Sequence, residues 1–435
     1  MSKQNDNDNI NNSRQTLSDE RHEHLEADSD SLDSTNNSHS FADADIDDYI
    51  FLSSHKKKKK VKHHADFSAY NDEIIVRSNT NNRRDKNHRK HHKRHHSRSK
   101  MKRWKKILIA SVSALLAFVI LSVGIVAYLI FRGSQELFNS DISISAPNGI
   151  TVQEDGRYVV YNGDTYKYNE KVTSILCMGI DKRSMENDAL EVNGTGGQAD
   201  AIILISVDTS TGKITLINIS RDTMAEVTVY SAGGSYLNTQ KQQICLSYAY
   251  GDGKNFSCEN TVSSVKKLFY NIPINTYFSL DLDGISAIND SVGGVDVVSP
   301  ETIDQFVAGQ SYHLVGEEAE KFVRTRDTSK LDSNNMRMQR QQVYVQSFFN
   351  KVIEQTKSNI STPLTLFNES SAYSCTNLNP SKVCYLGGTA VMNGSMSIDM
   401  ISVPGEVKMG EKYAEFIVNE KKFYELFLSI YYTKM

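Results

Sequence analysis

One long apolar stretch dominates the hydrophobic pattern: it runs from Ile107 to Phe131 and contains no charged residue. At about 1.5 Å per residue, a helix of this length exceeds the roughly 30 Å thickness of a bilayer's hydrocarbon core. A secretory signal peptide is the main alternative. The stretch begins about a hundred residues into the chain, however, and has no evident cleavage site. We therefore predict one membrane-spanning helix over residues 107–131.

Short apolar runs beyond this stretch are rich in β-branched residues and are bounded by turn residues. They occupy residues 173–178, 201–207 and 214–219. Such runs are typical of inner strands in a sheet that is covered on both faces. Two further runs flank Asn162 and Gly163, a pair that favours the tight turn of a β-hairpin.

Helical patterns alternate with these strands. Apolar residues recur at a 3.6-residue period after Ser257, and a second helical pattern covers residues 334–356. One face of that second helix carries Arg337, Arg340, Gln341 and Tyr344. The alternation of strands and helices predicts an α/β fold.

The formal net charge of −3 averages over segments of opposite character. An acidic stretch rich in Asn and Ser opens the chain, and a strongly basic run follows it up to residue 106. Neither segment has enough apolar residues for burial to offset the entropy lost on ordering, so we expect residues 1–106 to be a disordered tail. Because positive flanks stay in the cytoplasm, the tail is predicted inside and the remainder of the chain outside.

The basic run also predicts a binding partner for the tail. Runs of Lys and Arg attract phosphates whatever the sequence, which makes nucleic acid one candidate. The position of the run beside a bilayer favours anionic lipid instead, at about 1 kcal/mol for each basic residue near the surface.

All five cysteines follow the membrane span, on the side where disulfides are chemically permitted. Their spacing makes Cys245 with Cys258, and Cys375 with Cys384, the candidate pairs. Cys177 lies in an apolar run and is predicted to be a buried thiol. The alternative, that all five are small core residues, stays open.

Charged residues cluster at the ends of the predicted strands. Asp181 follows the first strand, Asp200 precedes the second and Arg221 follows the third. Ligands of α/β sheets gather at strand ends. Two neighbouring carboxylates would suit Mg²⁺, which uses one or two carboxylates together with substrate phosphates. Capping or turn formation is the alternative role of these aspartates.

Several arginines could converge on one anionic ligand. Arg221, Arg324 and Arg326 flank turns or element ends, and Arg337 and Arg340 lie on the predicted helix. Planar guanidinium groups match phosphate oxygens better than lysine does. A solvated basic surface with weak ion pairs is the alternative. The sequence has no lipase-type serine motif, zinc-spaced Cys/His set or Walker loop, so it gives no support to those enzyme classes.

A set of short motifs follows the apolar stretch in a fixed order. They occupy residues 175–183, 200–206, 220–223, 247–251, 283–284, 293–296, 316–319, 323–326 and 337–342. Each motif alone is weak, but the ordered set resembles the LytR-CpsA-Psr family of cell-envelope transferases. The resemblance implies a mixed central sheet flanked by helices over residues 171–358. A stalk and hairpin over 132–170 would precede this domain, and an extension over 359–435 would follow it.

The resemblance also implies a reaction. Members of the family take a glycopolymer, such as a teichoic acid or capsular polysaccharide, from a polyprenyl-pyrophosphate carrier and join it to peptidoglycan through a phosphodiester. By matching motifs, Asp181 and Asp200 would hold Mg²⁺ and act in catalysis together with Arg221, Arg324 and Arg326. The residues implied to bind the pyrophosphate are Arg183, Arg221, Arg324, Arg326, Arg340 and Gln341. A hydrophobic channel for the lipid is implied as well.

Two departures from the family pattern remove positive charge. Gln198 stands where the family commonly has Arg, and Gln243 stands where it has Lys. Arg183, Lys241 and Arg337 are the candidates to compensate. These changes keep two alternatives open: a hydrolase that uses water as the acceptor at the same site, and a non-catalytic binding or regulatory protein.

Overall fold

A computed structural model describes residues 102–184, 196–327, 329, 333–393 and 397–435, with the side chains of 333–335 excepted. The predicted tail therefore lies outside the described residues, apart from its last few positions. The helices are α1 (Arg103–Phe138), α2 (Leu246–Ala249), α3 (Asn255–Leu268), α4 (Leu282–Ser291), α5 (Glu317–Arg324), α6 (Ser333–Ser358), α7 (Thr362–Ser370), α8 (Pro380–Met392) and α9 (Glu420–Tyr431).

The strands of the described residues all follow α1 in the chain. They are β1 (Thr151–Gln153), β2 (Tyr158–Tyr161), β3 (Asp164–Tyr168), β4 (Val172–Ile180), β5 (Ala199–Asp208), β6 (Lys213–Ile219), β7 (Met224–Tyr230), β8 (Tyr236–Gln243), β9 (Thr276–Leu280), β10 (Val295–Val298), β11 (Ser311–Leu314), β12 (Ser374–Thr376), β13 (Ser397–Ser402), β14 (Gly405–Met409), β15 (Ala414–Val418) and β16 (Tyr432–Lys434).

A six-stranded sheet with the order β12-β9-β4-β5-β6-β13 forms the centre of the fold. β4, β5 and β6 are antiparallel neighbours, whereas β9 runs parallel to β4 and β13 runs parallel to β6. The three apolar runs of the sequence are β4, β5 and β6, as predicted. The expectation of a mixed α/β sheet is confirmed.

Both faces of this sheet are buried, which explains why its central strands are apolar at nearly every position. One face carries Leu176 and Leu204 and packs against α3 and α9. The opposite face carries Ile203 and Ile205 and packs against α6 and α8. A separate apolar cluster joins β10 and β11 to α4, α5 and α6.

The C-terminal residues belong to the same core. β13 extends the central sheet beside β6, and β16 pairs with β3 of the predicted hairpin. Phe423 and Phe427 of α9 are buried in the main cluster. The boundary predicted at residue 358 therefore does not separate two packing units. The matching motifs end before residue 358, although the packing continues beyond it.

The apolar helix α1 is longer than the predicted span and ends against α8. Residues 132–138, expected to begin a stalk, continue the helix. Gly133 faces the backbone of Ser381, Ile130 faces Gly388, and Asn379 donates a hydrogen bond to Glu136 (2.6 Å). The two helices therefore run antiparallel. The predicted β2–β3 hairpin is confirmed, and its turn residues Asn162 and Gly163 both have positive φ.

The packing of α1 on α8 predicts different effects for one substitution at two glycines of α1. A Cβ on Gly133 would overlap the Ser381 carbonyl, whereas one on Gly124 would meet nothing within 4 Å. We expect Gly133→Val to lower the free energy of unfolding by about 1–3 kcal/mol through overpacking. Gly124→Val should change it by less than about 0.5 kcal/mol. Chemical unfolding of the full chain in detergent measures both, and equal effects would contradict the observed contact.

Candidate active site

Two aspartates meet at one end of the central sheet. Ile180, the last residue of β4, pairs with Ala199 at the start of β5, so Asp181 and Asp200 lie at the same sheet end. The Asp181 carboxylate accepts a hydrogen bond from the backbone amide of Gln198 (2.6 Å). Both aspartates line a cavity of about 400 Å³.

The character of the cavity changes from one end to the other. Its charged end holds the two aspartates together with Arg324, Arg326 and Arg337. The walls beyond are apolar and include Phe278, Leu280, Ile285, Phe348 and Phe349. An elongated amphiphile with an anionic group at one end therefore matches the lining.

Helix α6 runs along this cavity and carries the gradient in its own sequence. Arg337, Gln341, Tyr344 and Phe348 all line the cavity. These positions recur every three or four residues, so they lie on one face of the helix. Successive turns of α6 therefore change from a cation to an amide and then to aromatic rings.

The Asp200 carboxylate binds two arginines. Arg221 donates to one oxygen, and Nη1 of Arg337 lies 3.3 Å from the other. Arg221 also donates to Oε1 of Gln198 (2.7 Å). Only 10% of the Arg337 side chain and 21% of the Arg221 side chain are exposed, so the network is largely shielded from water.

Burial and neighbouring charges shift the pKa values of this network. Burial lowers the pKa of Arg337; Asp200 opposes that shift, while the charges of Arg221 and Arg326 add to it. Burial likewise raises the pKa of Asp222, against the attraction of Arg221 and Arg337. Three guanidinium groups thus act on one another in a poorly solvated region, an arrangement that an added anion would stabilise.

The structure brings most of the predicted site residues together. Asp181, Asp200, Arg324, Arg326 and Gln341 line the cavity. Arg221 joins them through its contact with Asp200.

Two predicted pyrophosphate ligands lie elsewhere. Arg183 lines an adjoining polar groove that shares Arg324 with the cavity, and there it pairs with Asp283 (2.9 Å) and Glu320 (3.1 Å). Arg340 is fully buried, pairs with Glu301 (2.9 Å) and donates to the carbonyl oxygen of Thr325. In a helix Arg340 is rotated by about 100° from Gln341, which turns its side chain away from the cavity.

Arg337 is the cavity residue that the sequence analysis did not assign to the site. It was one of three candidates to replace missing cations; of the others, Lys241 is exposed on β8 and Arg183 lies in the outer groove. Its four-residue spacing from Gln341 was the available signal. Gln243 is neutral and so cannot replace a charge, but its amide donates to Asp222 (3.1 Å).

The predicted disulfide pairs are not formed, and all five cysteines are free thiols in the described structure. Cys245 lies beside Gln198 at the active site, Cys258 lies on α3 against Ser279, and Cys384 lies on α8. Cysteines that are close together in the sequence thus lie on different elements. Cys177 lines the cavity, and burial raises its pKa to about 12.

Among the described residues, no three or more His, Cys, Asp or Glu side chains form a group that could hold a metal. Asp181 and Asp200 offer two carboxylates lining one cavity. That donor set fits a partial Mg²⁺ site, since Mg²⁺ commonly takes one or two carboxylates and completes its shell with phosphate oxygens and water.

Comparison with known proteins identifies relatives. The sequence model of the LytR_cpsA_psr family matches residues 140–428. A polyisoprenyl-teichoic acid–peptidoglycan teichoic acid transferase of Bacillus cereus, TagU, is 29% identical over 231 residues, covering 51% of this chain and 66% of the relative. TagV of Bacillus subtilis is also described as a polyisoprenyl-teichoic acid–peptidoglycan teichoic acid transferase. It is 30% identical over 172 residues, covering 37% of this chain and 39% of TagV. The crystal structure of B. subtilis TagV superposes with a TM-score of 0.46 at 22% identity, covering 60% of this chain and 96% of that one.

The buried pair of Arg340 and Glu301 predicts a stability defect. Arg340→Ala would leave the Glu301 carboxylate uncompensated at 13% exposure. We expect it to lower the free energy of unfolding by about 3–5 kcal/mol, measured by chemical denaturation. Arg183→Ala, which removes an exposed arginine, should cost less than about 1 kcal/mol. Equal losses in the two variants would contradict a structural role for Arg340.

Proposed function

The chain belongs to the LytR_cpsA_psr family, and on that premise we propose that it transfers a glycopolymer or its precursor from a polyprenyl-pyrophosphate carrier to peptidoglycan through a phosphodiester bond. The relatives carry the name of teichoic acid transferases, which favours a teichoic acid as the polymer. The chain spans only 66% and 39% of the lengths of the two relatives described above.

The observation that carries this proposal is the two-part lining of the cavity. An isoprenoid chain would lie along Phe278, Phe348 and Phe349, where burial stabilises it by about 25 cal/mol per Å² of apolar surface. The pyrophosphate would then lie at the charged end, beside Arg326 and Arg337. Guanidinium groups can bind phosphate oxygens in pairs, which fixes orientation as well as position.

The ion network positions these cations before the substrate arrives. Asp200 holds Arg221 and Arg337 on opposite oxygens, and Arg340 holds the carbonyl of Thr325 between Arg324 and Arg326. In the reaction, an acceptor hydroxyl attacks the phosphorus on the glycan side as the pyrophosphate P–O bond breaks. Polyprenyl phosphate leaves with added negative charge. Preorganised cations in a poorly solvated site stabilise such developing charge strongly.

Asp181 and Asp200 are the proposed Mg²⁺ ligands. When bound, the ion would neutralise charge on the pyrophosphate oxygens. Asp200 would share its oxygens between the ion and the two arginines, Arg221 and Arg337, that already contact them.

The proposed topology places the tail in the cytoplasm, α1 across the cell membrane and the catalytic domain outside. The apolar surface of α1 between Ile107 and Phe131 is exposed in the protein alone, as a lipid-facing helix would be. The basic tail would then contact anionic lipid of the inner leaflet. A carrier lipid confined to the same bilayer meets the anchored enzyme at a high effective concentration.

Arg337 and Arg183 give a matched test of the site. Arg337→Ala should lower kcat for transfer by about 10²–10³-fold, because a buried donor to developing charge is lost. Arg183→Ala should change kcat less than about threefold, because its guanidinium lies in the outer groove. The assay follows coupling of a lipid-linked pyrophosphate glycan to peptidoglycan by the full chain. Release of glycan phosphate without coupling would favour the hydrolase instead, and equal activities of the variants would count against the proposed site.

The metal proposal predicts a shifted Mg²⁺ requirement. Asp181→Asn removes one anionic ligand, so the Mg²⁺ concentration for half-maximal transfer should rise by about tenfold or more. Asp283→Asn, at a carboxylate of the outer groove, should leave it unchanged. Activity that persists in EDTA would refute a metal requirement.

A further inference from the structure

Two cysteines that lie far apart in sequence meet beside the central sheet. Cys258 lies in the first half of α3 and is fully buried, while Cys375 lies on the edge strand β12 and is half-buried. Ser279 of β9 lies between them: it pairs with Cys375 across the sheet, and its hydroxyl accepts a hydrogen bond from the Cys258 thiol. Neither of the pairs predicted from spacing joins these two residues.

Separate hydrogen bonds hold each of the two sulfurs in place. Sγ of Cys258 lies 3.3 Å from Oγ of Ser279, and Ser279 is the residue of β9 paired with Cys375. Sγ of Cys375 lies 3.0 Å from Oδ1 of Asn255, one turn before Cys258 on α3. A third hydrogen bond, from Ser279 to the carbonyl of Cys375 (2.9 Å), holds the strand in place. The Cys375 thiol thus contacts the helix that carries Cys258, and the Cys258 thiol contacts the residue paired with Cys375.

The two thiols differ in reactivity. The neighbouring Cys258 thiol lowers the pKa of Cys375, against the opposing effect of burial. The Cys375 thiol and burial together raise the pKa of Cys258. The thiolate is the nucleophile in disulfide exchange, and Cys375 is also the more accessible of the two. Cys375 is therefore the attacking sulfur and Cys258 the resolving one.

We propose that Cys258 and Cys375 are a disulfide site that links α3 to the edge of the central sheet, with an external disulfide as the oxidant. The Cys375 thiolate attacks the oxidant, forming a mixed disulfide and releasing one thiolate. Cys258 then loses its proton and attacks the Cys375 sulfur, releasing the second thiolate. Two protein thiols are oxidised and one external disulfide is reduced to two thiols. The persistence of the bond rests on the proposed placement of this domain outside the membrane.

The link would close a long loop of the chain. That loop contains α4, α5 and α6, and with them the cavity residues Arg324, Arg326 and Arg337. A cross-link closing a long loop restricts the unfolded chain strongly. The oxidised protein should therefore melt higher than the reduced protein, by a shift on the order of 5–10 °C.

The experiment uses the full chain in detergent, treated with oxidised glutathione, digested without reduction and analysed by mass spectrometry. The expected product is a peptide pair joined at Cys258 and Cys375. Cys258→Ser should trap glutathione on Cys375, whereas Cys375→Ser should leave Cys258 unmodified. Cys384→Ser is the matched control, because it removes a cysteine close to Cys375 in sequence and should leave the link intact.

Two outcomes would overturn the proposal: Cys258 and Cys375 remaining thiols after oxidation of the wild-type chain, or Cys375 linked to Cys384. Because the readout is a mass and requires no transfer activity, either outcome leaves the proposed transferase reaction untouched. Conversely, a formed link in an inactive protein would refute the transferase and keep the disulfide.

Discussion

The site depends on the shared carboxylate of Asp200. Its two oxygens hold Arg221, from the turn after β6, and Arg337, from the first turns of α6. A buried charge is tolerated only when it is paired, so the three residues fix one another. These contacts hold β5, the turn after β6 and α6 together. Asp222 lies beside Arg221 as well (3.6 Å), so two carboxylates and two guanidinium groups share this network.

The same physical logic distinguishes two arginines that are three residues apart on α6. Arg337 contacts the Asp200 carboxylate and lines the cavity, whereas Arg340 is enclosed with Glu301 and the Thr325 carbonyl. One can serve a ligand, and the other holds the segment that carries Arg324 and Arg326. Residue type alone therefore does not reveal function here. The partners that each side chain meets decide it.

The sequence was sufficient for the central strands, the long helices and the aspartates at the strand ends, because each is set by local periodicity or by position relative to a strand. It was insufficient where tertiary contacts decide. The matching motif places Arg183 among the pyrophosphate ligands, yet Asp283 and Glu320 hold it in the adjoining groove. Cys245 and Cys258 are close in the chain, yet they lie on different elements. The residues of the cavity wall could not be predicted from the sequence either, because Phe278 and Phe348 come from distant segments.

Helix α8 packs between α1 and α6, the helix that lines the cavity. On one side it packs against the end of α1 through Gly133 and Ile130. On the other, Leu386 joins the apolar cluster of Phe349 and Ile353 on α6, the helix that lines the cavity. Close packing couples the positions of α1, α8 and α6, because well-packed interiors deform little. The position of α1 is therefore coupled to that of the cavity's apolar wall. If α1 spans the membrane as proposed, this fixed relation limits how far a lipid-linked donor would have to be drawn from the bilayer to reach Arg326 and Arg337.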